Sequence, residues 1–487
     1  MNPHRLRIIA ILFGCLAPLG PAPGPAAAGE EAAGPVLIKD VPHVRQKPDF
    51  CGEACAEMWL RRLGHATDQD HVFDRSGVDP VLGRGCRTPE LKTALDRIGF
   101  RTGDVWFKVE AARAAEGLEA QWARLLADLR DRVPSIVCMR YADQPETTEH
   151  FRLVLGYDRA NDEVVYHEPA EDRGAYMRMK RELFLKLWPL KYSEKEWTLV
   201  RLRLEPGKIE AGAAAPAGTF TSADYCQEFL RLNRLVREKL PGQGFAGLVQ
   251  PPFVVLGNED AATVRERARG TVRWAAEKLK ADYFRKDPAE IIVVWLFKDK
   301  DSYEKCAAAL FGDKPSTPFG YYSQTNSALV MNIATGGGTL VHEMVHPFVH
   351  SDFPECPAWL NEGLGSLYEQ CGEKDGRIWG YTNWRLPGLQ KAIGAGPIPT
   401  FRELTATTSA EFYGKDKGTN YAQARYLCYW LQEQGKLAGF YKEFRDNAAK
   451  DPSGYTFLMK AVGEKDEEGM KAFQKKWEEF VLGLKFR

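Results

Sequence analysis

The chain lacks an excess of either charge: Lys and Arg together number 66, Asp and Glu also 66, and the formal net charge is zero. That balance removes the electrostatic footprint of a nucleic-acid or anionic-membrane partner. No basic run or RNA-binding signature restores it locally. Long hydrophobic runs are missing as well, and past the N-terminal segment no stretch is apolar enough to cross a bilayer. There is no internal repeat, and the cysteine spacing matches no zinc ribbon. What is present is the composition of a folded protein, 44% hydrophobic and 27% charged, with 12 Trp, 18 Tyr and 25 Phe. At 487 residues the chain is too long for one typical core, so two domains are expected.

The first residues read as a targeting segment. Arg5 and Arg7 form a positive n-region, residues 8–19 a short apolar stretch, and Ala26-Ala27-Ala28 a small-residue cleavage site. A signal peptide over 1–28 is expected, followed by a leader at 29–35, giving an exported protein, periplasmic or extracellular, with no stable membrane span. Residues 12–15, LFGC, loosely match a lipobox that would anchor the chain through Cys15, but Phe13 is bulky there and few apolar residues precede it. Ordinary secretion is therefore the expectation. Ten cysteines occur, and losing Cys15 leaves an odd number, so an oxidising compartment implies at least one free or intermolecular thiol. Cys356 and Cys371 flank one short segment and are a candidate staple.

The pattern is α+β. Residues 36–204 mix helix and strand signals: helices over 51–63, from Thr88 to near Gly99, and over 122–130, then strands at 135–139, 151–156 and 164–167. Residues 205–221, EPGKIEAGAAAPAGTFT, lack periodicity and are rich in Ala, Gly and Pro, which marks a linker. Residues 222–487 form the second domain. Strands are expected at 253–256, 291–297 and 327–332, with a helix over 261–283. Gly336–Gly338 lead into an apolar helix near Thr339, after which the chain is mostly helical.

That apolar helix carries His342-Glu343-Met-Val-His346. Spacing of four places both imidazoles on one helix face, within reach of one cation, with Glu343 beside them to take a proton. Sixteen residues past His346, Asn361-Glu362-Gly363 offers Glu362 as a third ligand, leaving the fourth position open as catalytic zinc requires. Glu355 and Glu369 are rival third ligands. His350 lies about 12 Å along the helix from His342, too far to share one ion, and is expected to be supporting. Pro347 removes an amide donor and is expected to bend the helix. HExxH with a downstream Asn-Glu-Gly helix resembles the gluzincin metallopeptidases, most strongly over residues 327–368. The resemblance implies a zincin-like fold of a small sheet plus a helical lobe, with Zn²⁺ held by His342, His346 and Glu362. It also implies Glu343 as general base, the strand at 327–332 as the one that pairs with extended substrate, and a later oxyanion-stabilising residue. Tyr421 is the candidate for that last role, with Tyr413 and Tyr426 close by.

A second constellation lies in the N-terminal half. Gln46 precedes Cys51-Gly52, and Cys51 opens a helix, where the N-terminus favours thiolate. A Gln amide can donate to an oxyanion. His150 begins a strand, and the next strand ends in His167-Glu168-Pro169, placing a carboxylate where it can orient an imidazole. His167 faces the other side and is expected to be structural. The alternative for Cys51 is half of a disulfide, with Cys86 or another cysteine. Residues 36–204 resemble the bacteriocin-processing (double-glycine leader) branch of papain-like cysteine peptidases. The resemblance implies Cys51 as nucleophile, His150 as base and Gln46 as oxyanion donor. Glu168 stands where that branch usually has Asp before Pro.

The expectation is thus an exported peptidase acting on peptide or protein, with a zinc centre and a thiol centre. Two alternatives stay open: an N-terminal half that only grips peptide or cell-wall material, and a metal site that is structural.

Overall fold

The computed structural model describes residues 36–210, 212, 218–312, 314–414 and 418–486. The expected signal peptide with Cys15 and part of the expected linker lie outside the described residues. Among those described, no helix is long and apolar enough to cross a membrane.

The N-terminal half begins with β1 (Val36–Leu37), α1 (Cys51–Arg62), α2 (Gln69–Ser76) and α3 (Thr88–Ile98). β2 (Phe100–Arg101), β3 (Trp106–Glu110) and α4 (Ala114–Arg130) follow, then β4 (Ser135–Arg140), β5 (Glu149–Asp158) and β6 (Glu163–His167). It closes with β7 (Met177–Lys180), α5 (Arg181–Leu187), β8 (Glu196–Arg203) and β9 (Glu205–Pro206). One antiparallel sheet runs in the order β3-β8-β4-β5-β6-β7, with β1 added on β5. α1 packs on this sheet through a face of small and apolar residues, Ala54, Cys55, Met58 and Trp59, all buried. α4 starts two turns before its expected first residue. Its buried residues begin only at Gln121, so the earlier turns carry no apolar signal.

The expected linker is partly built into this half. β9 pairs with β2, and Glu210 donates its amide to the Ile98 carbonyl at 2.7 Å. The next helix, α6 (Ser222–Lys239), is started by Thr221 in a capping box with Asp224.

After α6 come β10 (Ala246–Gln250), β11 (Phe253–Gly257), α7 (Ala261–Arg267) and α8 (Trp274–Asp282), the two helices joined by a π-turn over 268–273. Then follow β12 (Ile292–Phe297), α9 (Lys300–Phe311), β13 (Gly320–Ser323) and β14 (Ala328–Asn332). The five strands form a mixed sheet, order β10-β11-β12-β14-β13, with β11, β12 and β14 parallel. These three read as unbroken apolar runs because both faces are covered. Val255, Val294 and Leu329 join one core with α8, while Val254, Trp295 and Val330 join another with α6 and α9.

β14 therefore cannot take the substrate-pairing role expected of residues 327–332. It is flanked by β12 on one side and β13 on the other. The edge belongs to β13.

The remaining elements form a helical lobe: α10 (Gly337–Asp352), α11 (Ala358–Leu367), a hairpin of β15 (Cys371–Lys374) and β16 (Arg377–Gly380), and α12 (Leu386–Ala395). They are followed by α13 (Phe401–Ala406), α14 (Ser409–Gly414), α15 (Thr419–Glu433) and three more helices ending at Gly483. α10 continues through Pro347 to Asp352, so the proline does not end it, although it leaves the Glu343 carbonyl without its helical donor. Every described cysteine is a free thiol, including Cys51, Cys86, Cys356 and Cys371, so neither the staple nor the Cys51 disulfide forms.

Candidate active sites

In the N-terminal half, the first turn of α1 rests against the start of β5. A Cβ on Gly52 would lie 2.6 Å from a Leu91 methyl carbon and 3.1 Å from the Phe151 ring, so a larger residue would have to push the Leu91 side chain aside. Cys55 reaches the Phe151 carbonyl at 3.8 Å from the same helix. Cys51 is half-buried beside the backbone of Phe151, next to His150 in the chain.

Burial pushes the Cys51 thiol up to about 12; the Phe151 amide works the other way, and nearby Glu53 adds to the rise. This corrects the expectation from the helix N-terminus. Desolvation of a sulfur anion outweighs the helix dipole here, and the resting group is the neutral thiol.

The base and its carboxylate do converge. His150 Nε2 meets Glu168 Oε1 at 2.5 Å, with both side chains buried. Nδ1 of His150 has no hydrogen bond among the described residues, and neither does Cys51 to His150 directly. Ala170 donates its amide to the same oxygen at 3.0 Å. Burial opposes the charge on Glu168, yet the His150 hydrogen bond and the charges of His150 and Arg152 hold its carboxyl below the usual range. Gln46 sits alongside, its backbone N–H donating to the Pro169 carbonyl at 2.9 Å, while its side-chain Oε1 is buried without a hydrogen bond among the described residues. His167 bonds the Val41 carbonyl and the Tyr176 amide through its two ring nitrogens, a structural role as expected.

In the C-terminal half, α10 and α11 bring the second set together. His342 and His346 stand ring to ring at 4.9 Å, and ligand atoms of His342, Glu343 and His346 lie within 4.8 Å of one another. Glu362, from α11, approaches His342 Nε2 to 3.3 Å and His346 Nε2 to 4.0 Å. A Cβ on Gly365 would be 3.3 Å from the His342 ring, so the glycine lets α11 close onto the histidine. Glu362 Oε2 is buried and makes no hydrogen bond among the described residues. With Oε2 turned to His342 Nε2 and Oε1 nearer His346 Nε2, one carboxylate stands against two imidazoles, a donor set that fits a divalent cation.

Supporting contacts surround these groups. Asn361 Oδ1 meets His346 Nδ1 at 3.0 Å, and Glu369, held by Arg385 at 2.7 Å, faces His342 Nδ1 at 3.4 Å. The Asn361 oxygen, accepting from Nδ1, selects the His346 tautomer whose Nε2 is open to a metal. Glu369, a rival ligand on spacing, thus sits behind His342. Glu355 is exposed, and His350 meets Gln324 at 2.8 Å away from the ligand pair. Glu343 accepts a hydrogen bond from the Tyr322 amide on β13 at 3.0 Å, and burial raises its pKa while the two histidines oppose the rise.

A cleft of about 870 Å³ opens onto His342, Glu343, His346 and Glu362, with Tyr421, Phe319 and Trp384 also on its walls. A smaller recess of about 310 Å³, bordered by Gln324, His350 and Tyr413, adjoins it across the same residues. Tyr421 lines the cleft, Tyr426 is buried elsewhere against Asn383, and Tyr413 reaches Glu362 itself.

Sequence reasoning passed over Arg152, Asn361 and the Tyr322 amide. A lone arginine inside the apolar run of β5 and the Asn directly before Glu362 are the signals the sequence offers. The Tyr322 amide depends on tertiary contact.

A comparison with curated proteins finds no match. Residues 38–195, the segment that carries Cys51, His150 and Glu168, match the model of the Peptidase_C39 like family, which relates the N-terminal half of this chain to cysteine peptidases.

Proposed function

We propose that the chain is an exported peptidase with two hydrolytic centres, a thiol centre in the N-terminal half and a zinc centre in the C-terminal half. The observation that carries the reading is convergence. His150 meets Glu168 in the N-terminal half, and His342, Glu343 and His346 stand with Glu362 in the C-terminal half, each set drawn from separate elements.

In the thiol centre, Cys51 is the nucleophile and gives its proton to His150 as it attacks the peptide carbonyl, because the resting thiol is neutral. Glu168 holds His150 through Nε2 and leaves Nδ1 for that proton. Gln46 donates to the developing oxyanion. His150 then returns the proton to the leaving amine, and water deprotonated by His150 hydrolyses the Cys51 thioester to release the acid and restore the thiol.

In the C-terminal centre, His342, His346 and Glu362 would hold Zn²⁺, which would supply Lewis acidity there. Glu343, kept in place by the Tyr322 amide, takes a proton from the water that adds to the peptide carbonyl and passes it to the amine of the departing fragment as the C–N bond breaks. Tyr421 donates to the substrate carbonyl from the cleft wall. The large cleft favours this open arrangement over a closed structural metal site.

A second reading has the N-terminal half gripping peptide without cutting it. The neutral Cys51 thiol and the missing Cys51–His150 hydrogen bond favour that reading. Alkylation of Cys51 with iodoacetamide and chelation of zinc, applied separately to a peptide library digest, decide between the two. Two centres predict that each treatment removes a distinct set of cleavages. If chelation abolishes all turnover and alkylation changes nothing, only the second reading survives.

A further inference from the structure

We propose that Arg152 is a positioning residue for the thiol centre, clamping one oxygen of Glu168 so that the other is presented to His150. The inference rests on the peptidase reading of that centre, and it explains how glutamate serves where the resembling peptidases usually carry aspartate. Glutamate has one more rotatable bond, so its carboxylate needs an additional restraint to hold an imidazole in one orientation.

The restraint is in place. His150 and Arg152 are two residues apart on β5, so both side chains leave the same face of the strand. Arg152 Nε donates to Glu168 Oε2 at 2.6 Å, while His150 and the Ala170 amide occupy Oε1. The guanidinium is itself immobilised. Its terminal nitrogens donate to the carbonyls of Arg140 at 3.2 Å and Tyr141 at 2.9 Å, where β4 ends. The rings of Tyr141 and Tyr166 flank it at 5.3 and 5.5 Å. Arginine alone offers a planar fork that can hold a carboxylate and two carbonyls at once. Both partners are buried, Arg152 at 4% and Glu168 at 2% exposure, so removing the cation leaves a carboxylate that burial would neutralise.

The titratable and charged groups facing Glu168 are few. His150 and Arg152 come from β5, Tyr141 from the end of β4 and Tyr166 from β6. Cys55 approaches from α1, His43 bonds the Glu168 carbonyl from the segment before α1, and Glu171 and Arg173 border the adjoining recess. Arg152 is the one cation among them that bonds the carboxylate at every pH.

The test is Arg152→Met in the full chain, read by carboxyl carbon NMR of Glu168 and by the pH profile of the Cys51-dependent kcat/KM with zinc chelated. The Glu168 midpoint should rise by at least about one pH unit, and the acid limb of the profile should move up with it. Arg152→Lys should keep the midpoint near its original value, leave KM unchanged and lower kcat by about tenfold, since the charge stays but the fork is lost. A folded Arg152→Met with midpoint and limb unmoved would overturn the proposal. Should that variant fail to fold, Arg152→Lys with unaltered kcat overturns it. The NMR midpoint needs no turnover, whereas loss of the peptidase reading itself would show as a chelated enzyme no different from its Cys51→Ala variant.

Discussion

Tyr413 donates its hydroxyl to Oε1 of Glu362 at 2.8 Å, leaving Oε2 as the oxygen that faces His342. α14 thus fixes which way a carboxylate on α11 points. Tyr413→Phe should weaken metal affinity by about 10–100-fold, the usual effect of losing a partner that orients a ligand. Competition with a chromophoric chelator measures it. Unchanged affinity would mean that Glu362 is held by the backbone alone.

Glu343 has a different task from the ligands around it. Glu343→Gln keeps an oxygen for the Tyr322 amide and should retain the metal, while kcat of the chelator-sensitive activity falls by about 10²–10⁴-fold. Steady-state kinetics beside elemental analysis checks both. Full activity in a metal-loaded variant would remove Glu343 from proton transfer.

Phe319 and Trp384 stand at the main cleft with 49% and 60% of their surface exposed, Trp384 with one face against the Arg385 guanidinium. We predict that Trp384→Ala raises KM for peptides with bulky apolar side chains by about 5–20-fold, as expected for about 1–2 kcal/mol of lost burial. The melting temperature should stay the same, because the ring supports no core. Equal KM for apolar and polar peptides in both proteins would place substrate elsewhere.

Glu53 is fully buried in the first turns of α1, with Oε1 on the Cys86 amide at 2.7 Å and Oε2 unpartnered. Burial pushes its carboxyl up from 4.5 to about 7. A raised folded-state pKa contributes stability that is complete below the unfolded value and is lost as pH climbs through the folded one. Stability from this group therefore declines between about pH 4.5 and 7. Glu53→Gln should gain on the wild type across that window by about 3 kcal/mol. Urea unfolding at pH 5 and pH 8 reads the difference, and a gap that does not widen with pH would contradict it.

Local signals made much of this molecule legible. The Cys51 helix, the strands bearing His150 and Glu168, and the His342–His346 helix all announce themselves through periodicity and spacing, and each forms close to its expected bounds. The same signals failed where tertiary pairing decides the outcome. β14 looked like the substrate strand because it directly precedes α10, but order in the chain does not reveal that β13 turns back to take the edge. Composition marks residues 205–221 as a linker, yet the backbone groups at its start pair with Ile98 and Gly99. A helix terminus favours thiolate at Cys51, and the burial that dominates it comes from packing on β5. Arg152 shows the limit most plainly. In sequence it is one charge in an apolar strand, and its meaning lies in Glu168, sixteen residues away.

Zinc-edge X-ray absorption on purified protein, with metal counted per chain, tests the central claim most directly. The account predicts one zinc bound by nitrogen and oxygen alone at about 2.0–2.1 Å, and its loss in Glu362→Ala and His342→Ala. A sulfur shell near about 2.3 Å, or no zinc at all, would contradict it.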